Sequence, residues 1–217
     1  MMKPYSKEEA IRYIEKFGLC VMKPSNADRF ISCGFEAFKD YTIYKYFFNE
    51  KSYDKKVMIA IESLVKINGS KGILYSDSEE VNGFAQWFPP GFVGHSSFDY
   101  VLSGSWKLMF LPDFWPSIKR CDIVEGFSFK RKAQITQNQD IFLYNFAVRP
   151  SMQGKGIARK LVKPMLEYAK AINRPCYCET YDPKNVAIYK HLGFTDLEPQ
   201  LVPNTSVTHY PMLFKVD

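Results

Sequence analysis

The segment from Val148 to Ala158 joins an apolar strand to an amphipathic helix through a turn with almost no side-chain bulk. Gly154 and Gly156 carry no Cβ, so the backbone N–H groups of this turn can approach a diphosphate closely. The helix that follows directs its unpaired amides and the positive end of its dipole toward the same point. The turn therefore predicts an anion site, although a Gly-x-Gly alone is equally consistent with a plain turn before a helix.

The sequence on either side of the turn favours the anion site. Residues 141–148 form a nearly continuous apolar run, which is typical of a strand buried on both faces. From Ile157 to Ala169, apolar residues recur at helical spacing with charged residues between them. A third glycine at the dinucleotide offset and the Gly-Lys-Ser/Thr of a Walker loop are both missing, so the turn belongs to neither of those motifs.

A second segment, residues 176–194, predicts a strand followed by a short helix. The strand alternates between one face with Cys176, Cys178 and Thr180 and another with Tyr177, Glu179 and Tyr181. The helix begins near residues 182–185 and is closed by Gly193, because a left-handed cap favours glycine. Asn185 and Tyr189 are four residues apart on this helix and therefore point the same way.

The two segments together resemble the GNAT superfamily of acyl-CoA-dependent N-acetyltransferases. Residues 153–158 match its Gln/Arg-x-x-Gly-x-Gly/Ala signature, and Tyr189 begins a Tyr-x-x-x-Gly-Phe ending. The resemblance implies that the turn holds the coenzyme A pyrophosphate, that Asn185 contacts the pantetheine arm, and that Tyr189 donates a proton to the leaving sulfur. The implied coenzyme contacts are Phe146, Ala147, Val148, Gln153, Gly154, Lys155, Gly156, Ile157, Ala158, Arg159, Asn185 and Tyr189. An alternative remains open, in which Tyr189 is a core aromatic and Asn185 only a cap.

Within the superfamily, three stretches resemble puromycin N-acetyltransferase and similar small-amine acetyltransferases. They are Ala-Gln-Trp-Phe-Pro-Pro at 85–90, Lys163-Pro164 inside the coenzyme helix, and Glu179-Thr180 followed by Pro183-Lys184-Asn185 and Tyr189. The resemblance extends over residues 141–216 and is thin before them. It implies that acetyl-CoA donates an acetyl group to the primary amine of a small molecule by direct attack, with no metal. The alternative is a coenzyme A sensor or interaction module without turnover.

The fold implied by the resemblance is α/β (α+β), with one domain over residues 1–217. We expect a mixed central sheet of about six to seven strands flanked by helices. A helical insertion at about 92–138, with helices near 98–111 and 116–132, should precede the coenzyme-binding strand. The hydrophobic pattern further predicts helices at 6–17, from 25 or 26 to 38 and at 55–67, with strands at 19–23, 72–75, 81–88 and 207–216.

In the implied reaction, a neutral amine attacks the thioester and a thiolate leaves. Main-chain amides around Phe146 to Val148 would stabilise the oxyanion. The thiolate, whose thiol has a pKa of roughly 8.5, would take a proton from Tyr189. Strand 141–148 contains no carboxylate, which leaves Glu179 as the best general base. A purely structural Glu179, paired with buried donors, is an equally open interpretation.

The acceptor pocket is predicted from the aromatic content of 16%, and comprises Tyr41, Tyr44, Trp87, Glu179 and the insertion. At neutral pH, deprotonation costs about 4.6 kcal/mol for an amine with a pKa of about 10.4, but about 1.4 kcal/mol for one with a pKa of about 8. A site without a strong base therefore favours a weakly basic, α-amino-like acceptor.

Composition limits the other classes of function. The net charge of +6 is spread along the chain and mixed with 23 acidic residues, so we expect no nucleic-acid partner. The densest basic run, residues 130–132, is predicted to be a solvated helix end, with a phosphate contact as the alternative. Five cysteines without zinc spacing predict free thiols and no metal site. The sequence contains neither a signal segment nor a membrane-length apolar run, so we expect a cytoplasmic protein without a membrane partner. We expect it to be a monomer or a homodimer.

Overall fold

A mixed β-sheet organises the chain in the computed structural model, which describes residues 1–48 and 50–216, with the backbone alone at 68–70. The strands of this part of the chain are β1 (Cys20–Val21), β2 (Ile73–Ser76), β3 (Gly83–Phe88), β4 (Ile141–Val148), β5 (Cys176–Thr180), β6 (Thr195–Asp196), β7 (Gln200–Leu201) and β8 (Thr208–Phe214). Their spatial order is β1-β2-β3-β4-β5-β8-β6, and β7 pairs with β8. Only β4 and β5 pair in parallel; the other described pairs are antiparallel.

Helices cover both faces of the sheet. They are α1 (Lys7–Lys16), α2 (Ala27–Phe38), α3 (Thr42–Phe47), α4 (Tyr53–Lys71), α5 (Ser97–Ser103), α6 (Phe114–Thr136), α7 (Ile157–Ala171) and α8 (Pro183–His191), with short 3-10 turns at Pro24–Asn26, Ser105–Phe110 and Pro150–Met152. One core lies between the sheet and helices α1 and α7, and a second packs against α2, α3 and α4. A smaller aromatic core formed by Phe88, Phe92, Phe142 and Tyr177 also contacts Phe129 of α6.

The predicted α/β fold with a mixed central sheet is confirmed, and the elements between β3 and β4 are helical as expected. The described sheet contains eight strands instead of six to seven. The difference arises because β6 and β7 are two residues each, too short to show an alternating pattern. Helix α3 was also missed, since its six residues make less than two turns and are dominated by aromatic residues.

Strand β4 changes its alternation partway along. Ile141, Leu143, Phe146 and Val148 all pack into the core on the α7 side, although the first two positions are odd and the last two even. A regular strand alternates faces at every residue, so this change requires one extra residue. The register with β3 shows that the extra residue is Tyr144, which has no partner opposite it. Tyr144 is therefore a β-bulge.

Beyond the bulge, β4 is no longer paired with β5. The parallel pairing joins Ile141, Phe142 and Leu143 to residues 176–178 and ends there. Every second N–H of the remaining β4 residues consequently faces an opening instead of a strand. Openings at the carboxyl ends of parallel strands are where open α/β sheets bind ligands.

Helix α6 is fixed to the start of β4 by a buried ion pair. Lys132 Nζ lies 3.2 Å from Asp140 Oδ1, and both side chains are almost fully buried. The same ammonium donates to Asn138 Oδ1 at 3.1 Å, and the Thr136 hydroxyl donates to Asp140. A buried charge that loses its partner is strongly destabilising. This contact therefore sets the position of the helix over the sheet.

Replacing Lys132 by Ala should lower the free energy of unfolding by about 3–5 kcal/mol, because it leaves the Asp140 carboxylate buried and unpaired. Urea denaturation measures the change. Lys130→Ala, at an exposed position of the same helix, should change stability by less than about 0.5 kcal/mol. Equal effects of the two substitutions would contradict the structural role of the pair.

Candidate active site

The turn before α7 has the backbone shape that the sequence predicted. Gly154 and Gly156 adopt φ values of +76° and +80°, in the left-handed region that favours glycine. A Cβ on either residue would meet no atom within 4 Å. The two glycines are therefore required by the backbone conformation, and the space in front of them is open.

Six consecutive amides of this turn are available to a ligand. From Gly154 to Arg159, no N–H group donates a hydrogen bond to an acceptor in the described part of the chain, and the first bonded amide is that of Lys160, 3.1 Å from the Gly156 carbonyl. The N-terminus of α7 adds its dipole at the same place. Lys155 and Arg159 are exposed beside the turn. Such an arrangement is suited to a phosphate or diphosphate.

The β2–β3 hairpin holds the turn in place. Arg149, directly after β4, donates to the Val81 carbonyl at 3.0 Å and forms an ion pair with Glu36. Lys160, in the first turn of α7, donates to the Asp77 carbonyl at 2.8 Å. Because both ends of the turn are tied to the same hairpin, its amides are preorganised.

Asn185 and Tyr41 converge on Thr180 at the end of β5. The Thr180 hydroxyl lies 2.8 Å from the Tyr41 hydroxyl and accepts a hydrogen bond from Asn185 Nδ2 at 3.2 Å. Tyr41 also accepts from the Tyr181 amide at 2.9 Å. Helix α8 begins here because Asp182 caps it by accepting from the Lys184 amide at 3.0 Å, with Pro183 at the first helical position.

Tyr189 lies on α8, with 9% of its surface exposed. Its ring packs 6.2 Å from that of Phe146 on β4 and 6.1 Å from that of Phe194. Burial raises the pKa of Tyr189 well above its usual value, and the neighbouring Cys178, Tyr41 and Glu179 act in the same direction. The hydroxyl therefore stays protonated near neutral pH, and the ring lies at the edge of the core on the α7 side of the sheet.

Glu179 on β5 is held by four side-chain donors. Tyr177 donates to it at 3.0 Å and Tyr181 at 3.1 Å, Ser128 of α6 forms a third contact, and His209 Nε2 lies 3.0 Å away. Burial raises the pKa of Glu179, but the hydrogen bond and charge of His209 and the hydroxyl donors outweigh burial, so the pKa lies below its usual value. The carboxylate is thus stabilised as an anion and has little capacity to accept a proton.

A second carboxyl group, Glu125 of α6, was missed by the sequence analysis. It is half-buried and accepts one hydrogen bond, from the Tyr100 hydroxyl at 3.2 Å. Burial raises the pKa of Glu125 to about 7, although the Tyr100 hydrogen bond opposes this, and the charges of Asp122 and Glu179 raise it further. The sequence gives one signal for Glu125, which is its position between Val124 and Ser128. Both of these residues are buried, so Glu125 lies beside the inward face of α6.

The structure separates the predicted acceptor residues. Tyr44 is buried in the α3 region, and its ring stacks on that of Phe48 with 6.2 Å between the centroids. Burial is the main cause of the raised pKa of Tyr44, and the nearby charge of Glu125 also contributes to it. Trp87, expected in the pocket, is instead fully buried in the core beneath α7, where its Nε1 donates to the Tyr75 hydroxyl at 3.0 Å. Strand β3 directs the Trp87 side chain to the α7 side of the sheet, where it has no exposed surface for a ligand.

Two other features bear on the class of site. Among residues 1–48 and 50–216, no three His, Cys, Asp or Glu side chains come together so that they could hold a metal ion. The helices in the same part of the chain include none that is both long and apolar enough to cross a membrane.

Comparison with known proteins gives concordant matches. The acetyltransferase (GNAT) family profile matches residues 39–194. A relative described as an uncharacterized N-acetyltransferase of Schizosaccharomyces pombe is 25% identical over 149 residues, which cover 67% of this chain and 60% of the relative. The chain therefore spans about 60% of the length of that relative.

Solved structures share the fold at low sequence identity. One, from Corynebacterium glutamicum, is described as histone acetyltransferase HPA2 and related acetyltransferase; it has 17% identity and a TM-score of 0.60 over 92% of this chain and 96% of that chain. Another is arylalkylamine N-acetyltransferase 2 from Aedes aegypti, with 14% identity and a TM-score of 0.61 over 92% of this chain and 98% of that chain. These likenesses concern the fold alone.

Gly156→Ala should weaken binding of desulfo-CoA by about tenfold, because the left-handed conformation of this residue disfavours a Cβ by about 1–2 kcal/mol. Isothermal titration calorimetry measures the affinity. Gly18→Ala is a matched control, since Gly18 has a φ of +64° with no atom near its Cβ position and lies after α1. An unchanged affinity in Gly156→Ala would argue against coenzyme binding at this turn.

Proposed function

The chain belongs to the acetyltransferase (GNAT) family, and we propose that it transfers the acetyl group of acetyl-CoA to the primary amine of a small molecule. The observation that carries this proposal is the row of unpaired amides from Gly154 to Arg159, next to an opening between β4 and β5. The amides suit the diphosphate of coenzyme A. We propose that the pantetheine arm and the thioester extend from there past Asn185 towards Tyr189.

The residues around the opening supply two of the three functions that acetyl transfer requires. The unpaired amides near Phe146 to Val148 can donate to the oxygen that becomes negative when the amine attacks the thioester carbonyl. Tyr189 carries a hydroxyl proton that the departing thiolate can take. We propose these roles for them. The third function, removal of a proton from the acceptor ammonium, requires a base in the same opening.

The acceptor would enter between α6 and the carboxyl ends of β4 and β5. The half-buried Tyr41, Tyr144 and Tyr181 provide ring surface there, and Glu179 provides a fixed negative charge. Such a cleft attracts a cation that is attached to an apolar or aromatic group. We therefore propose a small primary amine, with preference for one whose pKa is near that of an α-amino group.

We also propose the narrower features that the sequence predicts. The likeness to puromycin-type acetyltransferases rests on the three stretches named above. One domain over residues 1–217, a cytoplasmic location and a monomer or homodimer are likewise proposed. The continuous sheet from β1 to β8 supports the single domain.

Turnover is tested by incubating the protein with acetyl-CoA and a panel of primary amines: 2-phenylethylamine, phenylalaninamide, spermidine and puromycin. Free thiol is followed, with a reaction lacking amine to subtract the protein's own five cysteines. Amine-dependent thiol release, with the acetylated amine detected by mass spectrometry, is the expected result. Tight binding of acetyl-CoA without release for any amine would favour the alternative, a coenzyme A sensor.

Tyr189→Phe should lower kcat by about 10²-fold or more while leaving the affinity for desulfo-CoA nearly unchanged, because only the proton donor is removed. Steady-state kinetics and calorimetry measure the two quantities. Tyr13→Phe, which removes a hydroxyl on the distant helix α1, is the control and should retain wild-type kcat. If both variants turn over at the wild-type rate, Tyr189 is not the acid.

A further inference from the structure

We infer that Glu125 of α6 is the general base for the acceptor amine and that Glu179 holds the ammonium group in place. This inference rests on the proposed acetyl transfer and assigns its missing base. It moves the base from strand β5, where the sequence analysis had placed it, to the insertion between β3 and β4. It also gives the two carboxyl groups of the opening different tasks.

The position of Glu125 supports the assignment. Glu125 lies three residues before Ser128, and Ser128 contacts Glu179, so the two carboxyl groups lie on the same side of α6 at the opening. One oxygen of Glu125 accepts from Tyr100 at 3.2 Å. The other has no hydrogen-bond partner among the residues that the structure describes, and the side chain is only half-buried. One oxygen is thus available to an incoming ammonium group.

In the described part of the chain, the titratable groups that act on Glu125 are acids. The titratable groups that face it are Tyr44 of α3, Tyr100 of α5, Tyr144 of β4, Glu179 of β5, and Cys121 and Asp122 of α6. All six are acids, so none supplies a positive charge that would hold Glu125 ionised. Burial and the negative neighbours bring its pKa to about 7, which is where a general base is most effective at neutral pH.

Glu179 has the opposite environment. Its four donors occupy both oxygens and lower its pKa, so it stays an anion but accepts a proton poorly. When two carboxyl groups in one site have environments that push their pKa values apart, the group with the higher pKa takes the proton and the other stays charged. Here that contrast makes Glu125 the base and Glu179 the electrostatic partner of the ammonium.

The proposed step balances in protons. The acceptor ammonium gives one proton to the Glu125 carboxylate, which later releases it to solvent. The neutral nitrogen attacks the thioester carbonyl, a C–N bond forms, and the C–S bond breaks with its electron pair on sulfur. Tyr189 protonates the thiolate, and the second proton shed by the nitrogen restores Tyr189. The products are the acetylated amine, free coenzyme A and one proton.

The ionisation of Glu125 can be measured without any turnover. In protein labelled with ¹³C at the glutamate side-chain carboxyl, NMR should show one resonance that titrates with a midpoint of about 7 and is absent from Glu125→Gln. In Glu179→Gln the midpoint should move to lower pH, because a like charge has been removed. If no glutamate titrates near neutral pH, or if the resonance survives in Glu125→Gln, the inference is overturned.

Kinetics then decide whether the group acts as a base. With the amine that the wild type uses best among the four named above, kcat/KM should rise with pH to a plateau through a midpoint of about 7. Glu125→Gln should lower kcat/KM by about 10²- to 10⁴-fold and remove that rise, with unchanged affinity for desulfo-CoA. Gln134→Ala, at an exposed position of the same helix, is the control and should keep both the rate and the rise.

The outcomes separate this inference from the function on which it rests. Absence of thiol release by the wild type with all four amines contradicts the proposed acetyl transfer. Full activity and an unchanged pH dependence in Glu125→Gln contradict only the role of Glu125. If activity is lost in both Glu125→Gln and Gln134→Ala, the effect is a general disturbance of α6, which also counts against Glu125 as the base.

Discussion

The loss of pairing between β4 and β5 after three residues is the constraint on which the rest of this structure depends. A parallel pair that continued would bury the amides of β4 in ladder hydrogen bonds and close the crevice. Because the pairing stops at the bulge, one strand edge is left facing a cleft. The amides before α7, the start of α8 and the middle of α6 then surround that cleft. Each of these elements is common in proteins by itself, and the separation of β4 and β5 places all of them around one cleft.

Helix α6 forms one side of this cleft and also contributes polar side chains to it. It provides Ser128 to one carboxylate and carries a second carboxyl group, Glu125. The two glutamates have the same intrinsic chemistry, and their environments distinguish them. Four donors stabilise the charge of Glu179, whereas burial among acids destabilises the charge of Glu125. The buried Lys132–Asp140 pair fixes α6 at the sheet and thereby maintains that difference.

Local patterns in the sequence were sufficient for the turn, for α7 and for the strand and helix of residues 176–194. Gly154 and Gly156 signal their backbone conformation directly, and Ile157 begins a periodic apolar face. Features that depend on long-range packing could not be predicted in this way. Trp87 was expected in the cleft, but the face of β3 that meets α7 is decided by sheet register. Glu125 could not be found, because the direction in which α6 crosses the sheet is not encoded in its own periodicity.

The bulge at Tyr144 also determines which genetic changes β4 can accept. Side chains along this strand can be exchanged for others of similar size without altering the direction of their neighbours. Deleting the codon of Tyr144 would restore strict alternation and leave Phe146 and Val148 on the α7 side, because Leu143 and Asn145 already pair with consecutive residues of β3. Along this stretch, a deletion should therefore be tolerated best at the bulge itself, since every other residue of β4 is paired with a neighbouring strand and its loss would shift the residues beyond it by one position.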